Sequence, residues 1–223
     1  MIEAFSQAIA DAGAMTAWES VAVVLAIAYL ALAMKANKLC WFAAFFSTLI
    51  YTVLFWNVSL LMESALNVYY MGMAVYGYWL WVYRPNNALP SEQAANTGSA
   101  SQTGSDIVSW SLQRHLTIIA VTSVISLILG YVMATYTQAS FAYLDAATTC
   151  FAVMTTYLVA KKVLENWLYW VVIDLVSIYL YFHKGLMLTS LLFVGYVFMA
   201  VAGYFMWKKR LEPSQHNAAI ASL

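Results

Sequence analysis

Residues 73–84 read MAVYGYWLWVYR, and residues 199–210 read MAVAGYFMWKKR. Met, Ala, Val, Gly, Tyr, Trp and Arg recur at the same places, 126 positions apart. The register runs on without a gap. Just before these stretches, Ser64 meets Ser190, Val68 meets Val194 and Tyr70 meets Tyr196. Upstream, Trp41 meets Trp167, Leu32 meets Leu158, Lys35 meets Lys161, and Glu19 meets Asp145. Apolar helices resemble one another in Leu and Val, but here Gly, Trp, Lys and Arg match as well. Any fold for this chain must be built from two copies of one unit.

Composition fixes the solvent. The chain is 64% hydrophobic and 9% charged, with a mean hydropathy of +0.74, where soluble domains carry roughly 25% charged residues. That leaves too little polar surface for a water-facing globule. Seven apolar stretches, near 17–34, 40–56, 60–82, 116–135, 144–160, 166–182 and 187–207, each approach the ~20 residues that span a bilayer as a helix. They do not alternate with period two, so a barrel is disfavoured. The nine Trp residues suit membrane interfaces. Zero formal net charge gives no footprint for nucleic acid.

The expected fold is an all-α polytopic membrane protein of seven transmembrane helices in a 3+1+3 arrangement. A three-helix unit reverses the side on which the chain emerges. A single connector helix restores it and makes the two copies parallel, related by an axis along the membrane normal. The divisions are a first repeat over 17–84, a disordered linker over 85–113 (PNNALPSEQAANTGSASQTGSD at 85–106), a connector helix over 114–136, a second repeat over 143–210 and a tail over 211–223. The linker and tail are polar and rich in small residues. Nine of the ten basic residues fall on one side of this topology, and only Lys184 falls on the other. The positive-inside rule puts the N-terminus outside and the C-terminus in the cytoplasm. The first fifteen residues have no basic n-region, so the first helix is expected to be an uncleaved span.

Candidate site residues are the polar ones that the repeat does not reproduce. On the sixth helix, Asn166, Trp170, Asp174 and Ser177 lie at spacings of 4, 4 and 3, which is one helical face. On the third, Glu63 and Asn67 share a face with Tyr70, which the repeat does reproduce, at spacings of 4 and 3. An ionisable side chain inside a span costs about 2.5–3.5 kcal/mol at helix centre and defaults to a functional candidate. Asp174 sits mid-helix. Glu63 lies nearer the outer end, where a carboxylate also suits a helix N-terminus. Near a helix end the ordinary role of Trp is the interfacial belt, and Trp167 fits it. Trp170 shares the polar face and is expected to stack on substrate. Asn67 serves equally as helix–helix glue. Aromatic walls, carboxylates and an amide together suit an aromatic organic cation.

Other classes fit less well. His115, His183 and His216 lie at helix ends or outside the spans, the seventh helix has no Lys for a retinal Schiff base, and there is no Walker motif. No nucleophile–base pair, metal-ligand set or cofactor motif appears. Cys40 and Cys150 fall toward opposite ends of the spans, so neither a disulfide nor a two-Cys metal site is expected.

The stretch ENWLYWVVIDLVSIYLY (165–181), with YGYWLW (76–81) ending the third helix, resembles the Pnu family of bacterial vitamin transporters over residues 17–210. The resemblance implies the fold shared with SWEET sugar transporters and an inner-membrane location. It implies facilitated diffusion of a cationic vitamin, nicotinamide riboside or thiamine, with trapping by a cytoplasmic kinase and a tryptophan pair on Trp167 and Trp170. Riboside members tend to carry Gln at the position of Asn67 and Asn at that of Ala74. This chain departs at both and offers Glu63 and Asp174, so thiamine is the expected substrate and nicotinamide riboside the alternative. A transporter or receptor for another small aromatic cation is a more remote reading. Beyond the vitamin, the kinase and membrane lipid, a homo-oligomer is compatible with the sequence.

Overall fold

The computed structural model describes residues 17–57, 61–83, 107–137, 141–183 and 187–221, with the backbone alone given for 17, 61–63, 188 and 212–221. These form seven helices: α1 Ala17–Met34, α2 Cys40–Asn57, α3 Leu61–Tyr83, α4 Leu112–Tyr136, α5 Ala142–Ala160, α6 Asn166–His183 and α7 Met187–Ala221. The molecule is inside-out relative to a soluble protein. Large apolar side chains such as Val24, Phe46, Leu127, Val172 and Phe198 face outward, whereas Ser64, Thr155, Asn166, Asp174 and Ser177 are buried. Three stretches, Cys40–Asn57, Leu112–Tyr136 and Thr189–Leu211, are long and apolar enough to cross a membrane on length and composition alone. The remaining helices carry polar residues, and α3, α5 and α6 turn several of them into the bundle, where a lipid-facing polar group would be costly.

The duplication is visible atom by atom. Each copy ends its first helix in the same motif. Ala36 and Lys162, 126 residues apart, hold left-handed φ of 48° and 54°. Asn37 N–H bonds to Leu32 C=O and Ala36 N–H to Ala33 C=O, and the pairs Val163→Leu158 and Lys162→Val159 repeat this. This is a Schellman ending, held without the Gly that usually relieves the Cβ clash. Further in, Ser64 Oγ donates to Thr52 C=O at 3.0 Å, and Ser190 Oγ to Ile178 C=O at 3.4 Å, again 126 apart.

The copies interlock where α3 meets α5 and α1 meets α7. Trp81 Nε1 donates to Ala160 C=O and Trp207 Nε1 to Ala33 C=O, each at 3.0 Å. Each copy therefore staples the other at the same end of the bundle. A buried hydrogen bond of this kind contributes about 1 kcal/mol net, and more is lost when its partner is left unpaired. Trp81→Phe and Trp207→Phe are expected to lower the thermal midpoint in detergent by similar amounts. A large loss in one variant with none in the other would contradict the two-copy architecture.

Two stretches depart from expectation. The disordered linker was expected to run through 113. Residues 84–106 lie outside the described residues, but 107–111 form an ordered strap and α4 begins at Leu112. Ile107 is buried in the core, Val108 N–H bonds to Lys162 C=O, and Leu164 N–H bonds to Val108 C=O. Glu165 accepts from Ser109 Oγ and from Trp110 N–H, and pairs with His115 Nε2 at 3.5 Å. The partners that order the strap lie more than fifty positions away, beyond the reach of local composition. The second departure is the tail, which continues α7 as helix to Ala221. At 1.5 Å per residue, the 35 residues of α7 exceed the ~30 Å bilayer core.

Candidate functional site

Gly77 and Gly203 position the site by letting the bundle core close. An added Cβ at Gly203 would lie 2.7 Å from Trp167 Cε3, and one at Gly77 would overlap the ring of Trp41. Each indole therefore lies flat against a helix that has no side chain there. Trp41 meets Trp81 edge-on with ring centroids 5.4 Å apart, Trp167 meets Trp207 in the same way at 5.4 Å, and Trp81 and Trp207 meet at 6.4 Å. This four-tryptophan layer lies toward the bundle end that carries Lys35, Lys161 and Lys162.

On the other side of Trp41 a cavity of about 150 Å³ opens between the copies. Its aromatic walls are Tyr29 of α1, Trp41 of α2, Tyr70 of α3 and Trp170 of α6, and Ser47, Thr48 and Thr156 line the rest with Ala26 and Ala44. The repeat explains why it sits off-centre. The counterpart of Trp170 is Ala44, so a large ring in the second copy faces empty space in the first. Ser47 Oγ donates to Ala22 C=O at 2.8 Å, Thr48 Oγ1 to Ala44 C=O at 2.9 Å and Thr156 Oγ1 to Ala152 C=O at 2.8 Å. With their protons engaged, these hydroxyls face a ligand as acceptors. Among the described residues the lining holds no Lys, Arg or His.

The sequence-expected residues divide. Trp170 and Tyr70 line the cavity. Asp174 lies one turn outward of Trp170 on the same face of α6 and is buried at 4% exposure. Among the described residues it has no hydrogen-bond partner, although Tyr196 of α7 is close enough to interact with it electrostatically. Asn67 is half-buried on α3 and outside the lining. Glu63 lies in the first turn of α3, with its side chain outside the described residues. Two expectations need correction. Trp167, expected at the interfacial belt or paired with Trp170 on the substrate, is 1% exposed, wedged into the core and outside the cavity lining. Asn166 does not share a ligand-facing surface with Trp170. It is fully buried at the start of α6, donating to Val163 C=O at 2.6 Å. The sequence reading missed Tyr29, Trp41, Ser47, Thr48 and Thr156. The signal for two of them was the repeat itself, because Trp41 and Thr48 are the counterparts of Trp167 and Asp174.

Over residues 16–209 the sequence matches the family described as nicotinamide mononucleotide transporter. The chain belongs to that family. It is a multi-pass membrane transport protein and not an enzyme. The nicotinamide riboside transporter PnuC of Escherichia coli (strain K12) is 23% identical over 200 residues, which cover 85% of this chain and 84% of that protein. The PnuC of Shigella flexneri matches to the same extent. The crystal structure of the vitamin B3 transporter PnuC superposes with a TM-score of 0.65 at 21% identity, covering 88% of this chain and 83% of the other. That likeness carries the fold, and the family's seven-helix duplicated bundle is the one described above.

Proposed function

We propose that this protein carries nicotinamide riboside across the bacterial inner membrane, with the pyridinium ring in the cavity between the two copies. The observation that carries this reading is the chemistry of the lining. Aromatic faces attract a flat cation, hydroxyl oxygens accept from a carboxamide, and a buried carboxylate one turn away compensates the charge and accepts from ribose hydroxyls. A cavity near 150 Å³ takes one six-membered ring. The curated relatives are named for nicotinamide riboside and the family for the mononucleotide. The lining has no basic side chain for a phosphate, and Asp174 would repel one, which favours the riboside. Thiamine, expected from Glu63 and Asp174, has no support among the relatives, and we replace it with the riboside.

Transport is equilibrative in this reading, and a cytoplasmic kinase that phosphorylates the vitamin traps it. In this reading the end of the bundle with the tryptophan layer faces the cytoplasm, which the basic residues beside it support. Titration calorimetry on the purified protein tests the substrate. Nicotinamide riboside is expected to bind at least tenfold more tightly than thiamine or nicotinamide mononucleotide. Tighter binding of thiamine would restore the alternative, and tighter binding of the mononucleotide would overturn the argument from the lining.

A further inference from the structure

Outside the substrate cavity, α4 and α6 both lean on α5, and their backbones stay apart, with His115 of α4 and Tyr169 of α6 meeting at one end. The gap between them is a groove of about 340 Å³ with α5 as its floor, lined by residues including Ile119, Ala147, Phe151, Tyr169, Val172 and Val176. Its hydroxyls are turned away. Thr148 donates to Leu144 C=O at 3.0 Å, and the Tyr169 hydroxyl lies 2.9 Å from His115 Nδ1. No hydrogen-bonding group is left for a polar ligand, and in a bilayer the neighbouring medium is acyl chain.

The mouth of the groove, at the N-terminal ends of α4 and α6, is different. The His115 ring joins Tyr169 of the groove wall to Trp110, with ring centroids 6.2 Å apart, and the Arg114 guanidinium lies 5.8 Å above the Trp110 ring. Glu165, the nearby carboxylate, is already engaged by Ser109, Trp110 N–H and His115. Among the described residues Arg114 has no acidic partner. A guanidinium with unused donors, held by an aromatic ring beside an apolar groove, matches a lipid phosphate above an acyl chain. With Glu165 occupied, no carboxylate among the described residues at this mouth is free to receive the ammonium of a zwitterionic headgroup.

We propose that the α4–α6 groove is a binding site for one anionic phospholipid, with its phosphate on Arg114 and an acyl chain between Ile119 and Val176. The site is separate from the substrate cavity. Its α6 wall is the helix face next to the one that carries Trp170 and Asp174.

The test is native mass spectrometry of the full chain extracted from vesicles of equal phosphatidylglycerol and phosphatidylethanolamine. The wild-type protein is expected to retain one phosphatidylglycerol, favoured by roughly fivefold, the effect of one basic side chain at an anionic surface. Arg114→Gln should abolish the preference, and Ala147→Phe, which fills the groove floor, should abolish retention. Size-exclusion yield and thermal midpoint of both variants serve as the control for folding. Equal retention of the two lipids by the wild type, or a preference that survives both variants, would overturn the proposal.

Discussion

Gly77→Ala and Gly203→Ala should each strip the protein of stable folded yield, whereas Gly72→Ala and Gly195→Ala should be neutral or mildly stabilising. A methyl at Gly203 would meet Trp167 Cε3 at 2.7 Å, and one at Gly77 would overlap Trp41. Trp167 has nowhere to retreat, because it is also held edge-on by Trp207, and Trp41, held edge-on by Trp81, can yield only into the substrate cavity that it lines. Overpacking of this kind costs about 1–3 kcal/mol, occasionally more. Gly77 should be the worse of the two because its overlap is deeper. At Gly72 and Gly195 nothing lies within 4 Å of the added methyl, so only the helix propensity gain of up to ~1 kcal/mol remains. Size-exclusion yield and thermal midpoint in detergent separate the four. If Gly77→Ala behaves like Gly72→Ala, the tryptophans are not wedged as described.

The same two glycines show how much of the fold was legible in the sequence. A recurrence of Gly, Trp and Arg at a fixed separation needs no structure to see, and it predicts two copies directly. It does not say that Trp41 and Trp167 lie against Gly77 and Gly203, because that contact is made across helices. Reading Trp167 by its distance from a helix end therefore gave an interfacial role to a side chain that is 1% exposed. The strap was hidden for a related reason. Ile107 and Val108 follow a long polar run, and only Lys162–Glu165 supply their partners.

The candidate site was legible by half. Choosing residues that break the repeat selected Trp170 and Asp174, because the ligand has no two-fold symmetry and one copy must supply what the other lacks. The same rule discarded the complementary half. Ala44 and Thr48 look unremarkable, yet their small side chains make the space that Trp170 faces. Tyr29, whose counterpart is Thr155, also breaks the repeat, but on a first helix where nothing ionisable drew notice. A site between pseudo-symmetric copies has to be read as pairs of positions, with the small partner as informative as the large one.

That pairing fixes what substitutions at the site should do. Trp170→Ala removes an aromatic wall from a desolvated cation site, which is worth about 1–2 kcal/mol, or roughly tenfold in affinity. Asp174→Asn keeps the shape and removes the buried charge that compensates the cation, and should weaken nicotinamide riboside by at least as much. Both variants should keep their folded yield, since neither side chain anchors the tryptophan layer and Asp174 has no hydrogen-bond partner among the described residues. Trp41→Ala differs, because Trp41 both lines the cavity and fills the space over Gly77. It should lose binding and thermal stability together, by about 3–5 kcal/mol in stability. Trp167→Ala should lose stability to a similar degree, with any change in affinity following from the loss of packing. Ala44→Trp, which imposes the second copy's ring on the first, should occlude the cavity and abolish binding. Calorimetry paired with thermal midpoints on the five variants checks the set. Normal riboside affinity in both Trp170→Ala and Ala44→Trp would place the substrate somewhere other than between the copies, and normal affinity in Asp174→Asn alone would return that carboxylate to a structural role.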